Sequence, residues 1–401
     1  MNRRNFLNKM SKLSLFAYLS INNISTKLYA QTVSDSIDSI LKAKINLQFH
    51  NQRPLNAEAF AHFLNDNQTP YEEMFIRNNG LLPDPIDTDT WSLEISGESI
   101  QHKTYFSLVQ LKKLFKEISL NVVLECGGNG RSEYFPSAQG NQWNTGAVAC
   151  VKWSGIKLSD VLTYCGIKKD ALYVGYYGKD KHLSKDTNKS AISRGCPIEK
   201  ALDENTILAY KMNDKEIPFV HGYPLRLIVP GYPGSASGKW LHKIVVRNII
   251  HDGTKMGGYA YRIPKMSVAP GTKVAKKDMK IIEEMPVKSL ITSIKTGIQH
   301  KLSEPLLVEG HAWAGNGDVS SVMISKDYGI TWQKAVLSQA TNKNAWQRFS
   351  HTIDFNEIGY YEIWARAIDT LNRSQPIAMP GWNPKGYLNN AAHRVAVTVL
   401  S

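Results

Sequence analysis

The segment Asn121-Val122-Val123-Leu124-Glu125-Cys126-Gly127-Gly128-Asn129-Gly130-Arg131 passes from an apolar run into a cysteine and a glycine-rich turn. The apolar run predicts a β-strand over residues 121–125, with Cys126 at its end. Glycines let the backbone approach a bulky group closely, and a thiolate is the soft ligand that thiophilic transition metals prefer. The residues alone leave three interpretations open: a buried structural cysteine, a catalytic nucleophile or a metal ligand.

Short strands and helices alternate on both sides of this segment. Residues 107–116 predict a helix capped by Ser107, because leucines recur on one helical face behind a capping residue. Further strands are predicted over residues 91–97, 225–230 and 243–248. Residues 71–265 therefore predict an α+β domain. The polar segment before it, residues 31–70, predicts an N-terminal arm with a short helix near residues 57–64.

The patterning changes around residues 264–286, where prolines, a glycine and a run of lysines interrupt it. Beyond this point, short alternating segments predict strands over residues 319–325, 331–336, 360–367 and 394–399. Strands at such spacing with turn residues between them are typical of an all-β, immunoglobulin-like sandwich. We therefore predict a second domain over residues 266–401.

Residues 1–30 have the features of an export signal. They carry five basic residues and no acid around an apolar stretch, and they end in a small residue, Ala30. This order is typical of a secretory signal peptide, and the Arg3-Arg4 pair favours the twin-arginine route. We expect the protein to be periplasmic. No run of about 18 apolar residues occurs, so we expect no transmembrane segment.

Charge and cysteine usage exclude some function classes. Of the net charge of +13, five positive charges belong to the predicted signal, which leaves +8. The remaining basic residues are scattered among acids, so we expect no nucleic-acid partner, although a mild positive field attracts small anions. The cysteines Cys126, Cys150, Cys165 and Cys196 form no C-x-x-C motif. Zinc ribbons and covalent haem are therefore unsupported, and no disulfide is assigned.

Further motifs surround Cys126 in the chain. They are Phe75-Ile76-Arg77-Asn78-Asn79, Gly140-Asn141-Gln142-Trp143-Asn144-Thr145-Gly146, Trp153-Ser154-Gly155-Ile156-Lys157-Leu158, His221-Gly222-Tyr223-Pro224-Leu225-Arg226, Ser235-Ala236-Ser237-Gly238-Lys239-Trp240 and Gly381-Trp382-Asn383-Pro384-Lys385-Gly386-Tyr387. In this order they resemble the molybdenum-cofactor core of the sulfite oxidase family. Within it, they are most similar to the sulfane dehydrogenase molybdenum subunit of sulfur oxidation (Sox) and to bacterial sulfite dehydrogenases.

The resemblance implies a molybdopterin-binding domain followed by an immunoglobulin-like domain that makes a homodimer. It implies molybdenum with molybdopterin as the cofactor and Cys126 as the protein thiolate on the metal. It further implies active-site roles for Arg77, Arg131, Trp143, Tyr261 and Lys385. Cofactor-binding roles are implied for Arg77, Asn78, Asn79, Cys126, Asp180, His221, Arg226, Ser237, Gly238 and Lys239. Asn79 stands where animal members have histidine, and Lys385 where several members have arginine.

The activity implied by the resemblance is oxidation of sulfite, or of sulfane sulfur bound to a carrier protein, by oxo transfer at molybdenum. Because the chain has no haem motif, the implied electron acceptor is a separate c-type cytochrome. One alternative is a periplasmic molybdenum reductase of sulfoxides, although those relatives usually lack a C-terminal sandwich. A non-catalytic binding protein built on an immunoglobulin-like module is the third hypothesis.

Overall fold

The computed structural model of the protein describes residues 38–401, so the predicted signal peptide lies outside the described residues. Of the described residues, 38–45 belong to one compact unit, and Asn46 to Ser401 form another. The fold and the site described below belong to the second unit. Within the described range, no helix is both long and apolar enough to cross a membrane.

The second unit opens with a three-stranded sheet. Its strands are β1 (Leu47–Gln52), β2 (Leu55–Ala59) and β3 (Ile76–Arg77), in the order β1-β2-β3. The helix predicted near residues 57–64 is wrong, because β2 occupies its first part and only a single 3-10 turn, Ala61–Phe63, follows. Residues 55–59 alternate between apolar and polar side chains, which is the pattern of a strand, although all of them are buried, Asn56 and Glu58 included.

Two five-stranded sheets form the α+β domain. The first contains β6 (Glu117–Glu125), β7 (Val148–Lys157), β10 (Ile207–Met212), β11 (Lys215–Glu216) and β12 (Arg226–Ile228), in the order β11-β10-β7-β6 with β12 paired to β10. The second contains β4 (Leu93–Ser96), β5 (Thr104–Phe106), β8 (Tyr173–Gly178), β9 (Gly195–Pro197) and β13 (Leu241–Arg247), in the order β5-β4-β13-β8-β9. A core that includes Ile95, Ile156, Leu225 and Ile244 lies between them.

The three helices of this domain are short. They are α1 (Leu108–Leu114), α2 (Leu158–Tyr164) and α3 (Ile198–Ala201). The predicted cap of α1 is confirmed: the Ser107 hydroxyl accepts a hydrogen bond from the Gln110 backbone N–H, and the Gln110 side chain accepts one from the Ser107 N–H. This reciprocal pair satisfies two donors that the first helical turn leaves open.

A two-stranded sheet links the domains, formed by β14 (Arg262–Pro264) and β15 (Met279–Ile281). The predicted boundary at residues 265 and 266 falls between these two strands. The second domain is a sandwich of two sheets. One contains β16 (Lys288–Ile291), β18 (Leu306–Trp313), β21 (Val336–Leu337) and β22 (Gln347–Ile353). The other contains β17 (Ile298–Lys301), β19 (Val319–Ser325), β20 (Gln333–Lys334), β23 (Gly359–Asp369) and β24 (His393–Leu400).

The sandwich contacts the second half of β6 and the turn beyond it. Within the strand, the Asn121 and Val123 N–H groups donate to Asn342 Oδ1 and Asn344 O, both at 2.9 Å. Beyond its end, the Leu388 N–H donates to Gly127 O at 2.9 Å. Loops of the second domain therefore fix the strand that carries Cys126.

Candidate active site

Cys126 occupies the first position after β6. Its N–H donates to Ala147 O at 2.9 Å, and its carbonyl accepts from the Asn129 N–H at 2.9 Å. Glycine at position 128 leaves room for the Arg131 guanidinium, since a Cβ there would lie 2.1 Å from Arg131 Nη2. Two cavities meet at the Cys126 side chain.

The other three cysteines, Cys150, Cys165 and Cys196, are fully buried and line neither cavity. Burial raises the pKa of Cys150 and of Cys196 to about 12. A thiol in that state is inert, because the thiolate is the form that binds metals. Cys126 is therefore the candidate ligand among the four.

The inner cavity, of about 700 Å³ and partly open to solvent, is lined by residues from β8, β12 and the loops beside them. Eight of the ten predicted cofactor-binding residues line it. Arg77, Asn79 and Cys126 also line the second cavity, and the other five are Asp180, His221, Arg226, Ser237 and Lys239. They come from distant parts of the chain, and the fold brings them to one wall.

Arg226 is a buried cation in this wall with no carboxylate among its hydrogen-bond partners. Its Nη1 donates to His221 O at 3.1 Å, and its guanidinium stacks on the Trp153 ring at 5.1 Å. Its Nε is buried and has no hydrogen-bond partner. Burial lowers the pKa of Arg226 to about 9. A buried cation with an open donor is suited to bind an anion.

Lys239 and Asp180 lie on the same wall. Lys239 Nζ donates to Asn78 Oδ1 and, at 3.0 Å, to Val220 O. Burial raises the pKa of Asp180 to about 6, and the nearby Lys239 opposes the shift. The inner cavity therefore presents three cations, Arg77, Arg226 and Lys239, and a carboxyl group whose pKa is raised to about 6.

Gly238 is the predicted site residue that lines neither cavity. A Cβ at this position would lie 2.4 Å from the Tyr176 ring, which is buried and donates through Oη to Ser235 O at 2.7 Å. Because Gly238 has no side chain, there is room for Tyr176, which lines the inner cavity. Gly238 therefore has a packing role beside the cavity.

We expect Gly238→Ala to lower the free energy of unfolding by about 1–3 kcal/mol, because the Tyr176 ring must shift within a packed core. Chemical denaturation measures this change. Gly257→Ala is the matched control, since a Cβ there meets nothing within 4 Å. A Gly238→Ala protein as stable as the control would contradict the packing role.

The outer cavity, of about 860 Å³, lies on the other side of Cys126. The predicted residues Asn78, Arg131, Trp143 and Lys385 line it, and so does Lys255. Among the described residues that line it, none is an aspartate or a glutamate. A cavity with several cations and no acid raises the local concentration of anions.

The backbone fixes Arg131 in the outer wall. Its Nε donates to Lys385 O at 2.7 Å and its Nη1 to Asn141 O at 2.8 Å. Lys385 Nζ donates to Gln139 Oε1 at 2.8 Å. Burial, together with the charges of Arg131 and Lys255, lowers the pKa of Lys385. The cations are thus close enough to act on one another and to share one anion.

Arg77, Asn79 and Tyr261 line both cavities beside Cys126. Asn79 Oδ1 accepts hydrogen bonds from Arg77 Nη2 at 3.0 Å and from Tyr261 Oη at 3.1 Å. Burial alone lowers the pKa of Arg77, but the neighbouring Tyr261 and Cys126 raise it above its ordinary value. Arg77 is therefore a permanent positive charge beside the thiol.

Several residues around the cavities were not among the predicted site residues, and they include Tyr176, Arg194, Lys255 and Tyr387. Arg194 is buried, stacks on the Tyr261 ring at 4.6 Å and donates to Ser235 Oγ at 2.5 Å. Tyr387 packs against Tyr261 with ring centroids 5.6 Å apart. Lys255 begins the segment Lys255-Met256-Gly257-Gly258 and Tyr387 ends the segment Gly381-Trp382-Asn383-Pro384-Lys385-Gly386-Tyr387, and both segments carry the family resemblance. Arg194 has no such signal, because only the fold brings it to the site.

The comparisons with known proteins agree with this architecture. The Oxidoreductase molybdopterin binding domain model matches residues 79–254, and the Mo-co oxidoreductase dimerisation domain model matches residues 279–400. The mitochondrial sulfite oxidase of Rattus norvegicus is 32% identical over 374 residues, covering 88% of this chain and 66% of that protein. The sulfite oxidase of Gallus gallus is 31% identical, covering 87% of this chain and 77% of that protein.

The sulfane dehydrogenase SoxCD of Paracoccus pantotrophus has a similar fold, with a TM-score of 0.71 at 24% identity over 88% of each chain. The chain spans 66% of the length of the rat enzyme. Because both domain models match and the two sulfite oxidases are more than 30% identical to it, the chain belongs to the sulfite oxidase family of molybdenum oxidoreductases.

Proposed function

We propose that the protein oxidises a sulfur compound, either sulfite or a sulfane sulfur on a carrier protein, at a molybdenum held by Cys126. The observation that carries the proposal is the meeting of two cavities at one thiol. The inner cavity is suited to an anionic cofactor, and the outer cavity carries cations without acids. The sulfite oxidases among the relatives and the fold shared with a sulfane dehydrogenase support it.

Molybdenum with molybdopterin is the cofactor of this family, and the residues present fit it. Cys126 offers a soft ligand, which suits a thiophilic metal. The open Nε of buried Arg226 is a donor that the protein leaves unmatched, and a phosphate would satisfy it. Lys239 and Ser237 line the same cavity. When bound, this cofactor supplies two-electron oxygen-atom transfer.

The chain's own residues bind and orient the substrate anion. Because two carbonyls hold Arg131, its guanidinium plane is fixed before the substrate arrives. Preorganised cations bind an oxyanion without a further ordering cost, through charge-assisted hydrogen bonds. Arg77 lines both cavities beside Cys126, so its charge attracts the anion toward the thiol. The Trp143 indole on the same wall is almost fully buried and limits the water around the reacting atoms.

We also propose a cellular location, an oligomeric state and an electron acceptor for the protein. The basic start with Arg3-Arg4 supports export to the periplasm by the twin-arginine route. The match of residues 279–400 to a dimerisation domain supports a homodimer. We propose a separate c-type cytochrome as the electron acceptor, because the sequence has no motif for covalent haem.

Parallel steady-state assays on the purified, molybdenum-loaded protein test the function. We expect reduction of cytochrome c with sulfite or with a carrier-bound sulfane sulfur, and the ratio of the two kcat/KM values identifies the substrate. The third assay offers a sulfoxide and a reduced dye. Turnover in that assay alone would overturn the proposal in favour of a reductase.

Lys385 makes a pH-dependent contribution to substrate binding that distinguishes it from an arginine. We expect Lys385→Ala to raise KM for the anionic substrate by roughly tenfold through the loss of one charge-assisted contact. Because the pKa of Lys385 is lowered, its charge is lost as pH rises toward that pKa, and KM should rise in the alkaline range. Lys385→Arg keeps the charge and should give a flatter KM profile.

The exposed Lys334 in β20 provides the control, and Lys334→Ala should leave KM unchanged at every pH. Identical alkaline profiles for the native protein and Lys385→Arg would show that Lys385 does not bind the substrate.

A further inference from the structure

Glu125, the residue immediately before Cys126, is held by groups from the second domain. It is 2% exposed. Lys288 Nζ in β16 lies 2.6 Å from Glu125 Oε1, and Trp313 Nε1 in β18 donates to Glu125 Oε2 at 2.9 Å. Both carboxylate oxygens are therefore satisfied by the sandwich, at the strand end that carries the candidate metal ligand.

A network continues from this pair to the Cys126 backbone. Asn129 Nδ2 donates to Glu125 Oε1 at 3.0 Å, and Asn129 Oδ1 accepts from the Ala147 N–H at 3.0 Å. Ala147 O in turn accepts the Cys126 N–H. Lys288, Trp313 and the turn after Cys126 are thus connected by hydrogen bonds without a gap.

The Glu125–Lys288 ion pair is buried, and this burial links it to the position of Cys126. A buried ion pair of this kind adds little to stability by itself, but the loss of one partner leaves an uncompensated charge in an apolar surrounding. Here that charge would stand one residue from Cys126. The position of the thiol therefore depends on residues that neither line the two cavities nor belong to the α+β domain.

We propose that Lys288 and Trp313 are positioning residues for the metal ligand, acting through the Glu125 carboxylate and the turn that follows it. The second domain then completes the site of its own chain, in addition to any role in dimerisation. The inference rests on the proposed role of Cys126 as the molybdenum ligand. When a residue orients a metal ligand without contacting the metal, its replacement typically changes metal affinity by roughly 10- to 100-fold.

The test uses the full-length, molybdenum-loaded protein and two readouts that need no substrate: bound molybdenum per chain, and the Mo(V) EPR spectrum after partial reduction with dithionite. We expect Lys288→Met to bind molybdenum roughly 10- to 100-fold more weakly, so that it carries less metal per chain, and to change the spectrum of the metal that remains. Trp313→Phe keeps the packing and removes a single donor, so it should change the spectrum in a protein that still folds.

Two further variants make the effect specific. Arg348→Met breaks the Arg348–Glu309 ion pair of the same sandwich, which has a 2.8 Å N–O distance and faces neither cavity. It should leave spectrum and metal retention unchanged. The neutral double variant Glu125→Gln with Lys288→Gln avoids the buried unpaired charge and should recover most of the retention that Lys288→Met loses.

The outcomes separate this inference from the function on which it rests. If Cys126→Ser leaves the Mo(V) spectrum unchanged, the assignment of the ligand fails. If Cys126→Ser changes the spectrum while Lys288→Met and Trp313→Phe match the Arg348→Met control, the ligand assignment stands and the positioning role is overturned.

Discussion

Cys126→Ser is expected to leave a folded protein whose turnover of sulfur substrate falls by on the order of 10³-fold or more. A serine hydroxyl occupies nearly the same volume as the thiol but stays protonated at neutral pH and is a hard oxygen donor, so it replaces the soft thiolate poorly. The backbone contacts of residue 126 with Ala147 and Asn129 involve no side-chain atom and should persist. The measurement is kcat with sulfite and cytochrome c, normalised to bound molybdenum.

Cys165→Ser provides the matched control for this variant. Cys165 is buried at the end of α2 and lines neither cavity, so its replacement tests the general cost of a buried cysteine. We expect it to lower the melting temperature by a few degrees at most, without loss of turnover per molybdenum. Near-normal sulfite oxidation by Cys126→Ser would exclude Cys126 as the essential ligand.

We expect Arg226→Met to leave the stability of the cofactor-free protein unchanged or higher, and to weaken cofactor binding. Without an anion in the inner cavity, the buried guanidinium costs several kcal/mol of stability at neutral pH. The cost is fully present at pH values below the lowered pKa of about 9 and is relieved as pH rises through it. The unfolding free energy of the cofactor-free variant should therefore be unchanged or higher than that of the native protein.

The loaded protein should respond in the other way. Loss of a charged donor weakens binding of an anionic cofactor by roughly 10- to 100-fold, so the rise in melting temperature on cofactor loading should shrink. Pterin and molybdenum content after dialysis measure the retention. Arg366→Met is the control, because Arg366 also stacks on a tryptophan, Trp332, but lines neither cavity. Equal retention in the two variants would contradict the anion-binding role.

Part of the fold could be predicted from the sequence because local patterns decide it. The alternation over residues 319–325 and 360–367 matches β19 and β23, and the capped α1 follows from Ser107. The strand predicted over residues 331–336 divides, since β20 pairs with β19 while Val336 joins the other sheet in β21. Sheet membership depends on tertiary pairing, which alternation does not encode.

The residues of the site could also be predicted only in part from the sequence. Its motif residues could be proposed because the glycine-rich turn and the surrounding segments carry a family pattern. Arg194 could not, because a single arginine at the start of a short strand resembles any surface cation until β8 and Tyr261 are placed around it. Likewise, Glu125 pairs with Lys288, which lies 163 positions later in the chain.

The contacts of residues 385–389 with the turn after Cys126 set an order of events during biosynthesis. Lys385 O holds Arg131, Tyr387 O accepts from Tyr134 Oη, and Asn389 Nδ2 donates to Gly130 O. Such long-range contacts form only when both partners have left the ribosome. The outer cavity therefore cannot acquire its complete wall until residue 389 has left the ribosome, and a cofactor that arrives earlier meets an unfinished pocket.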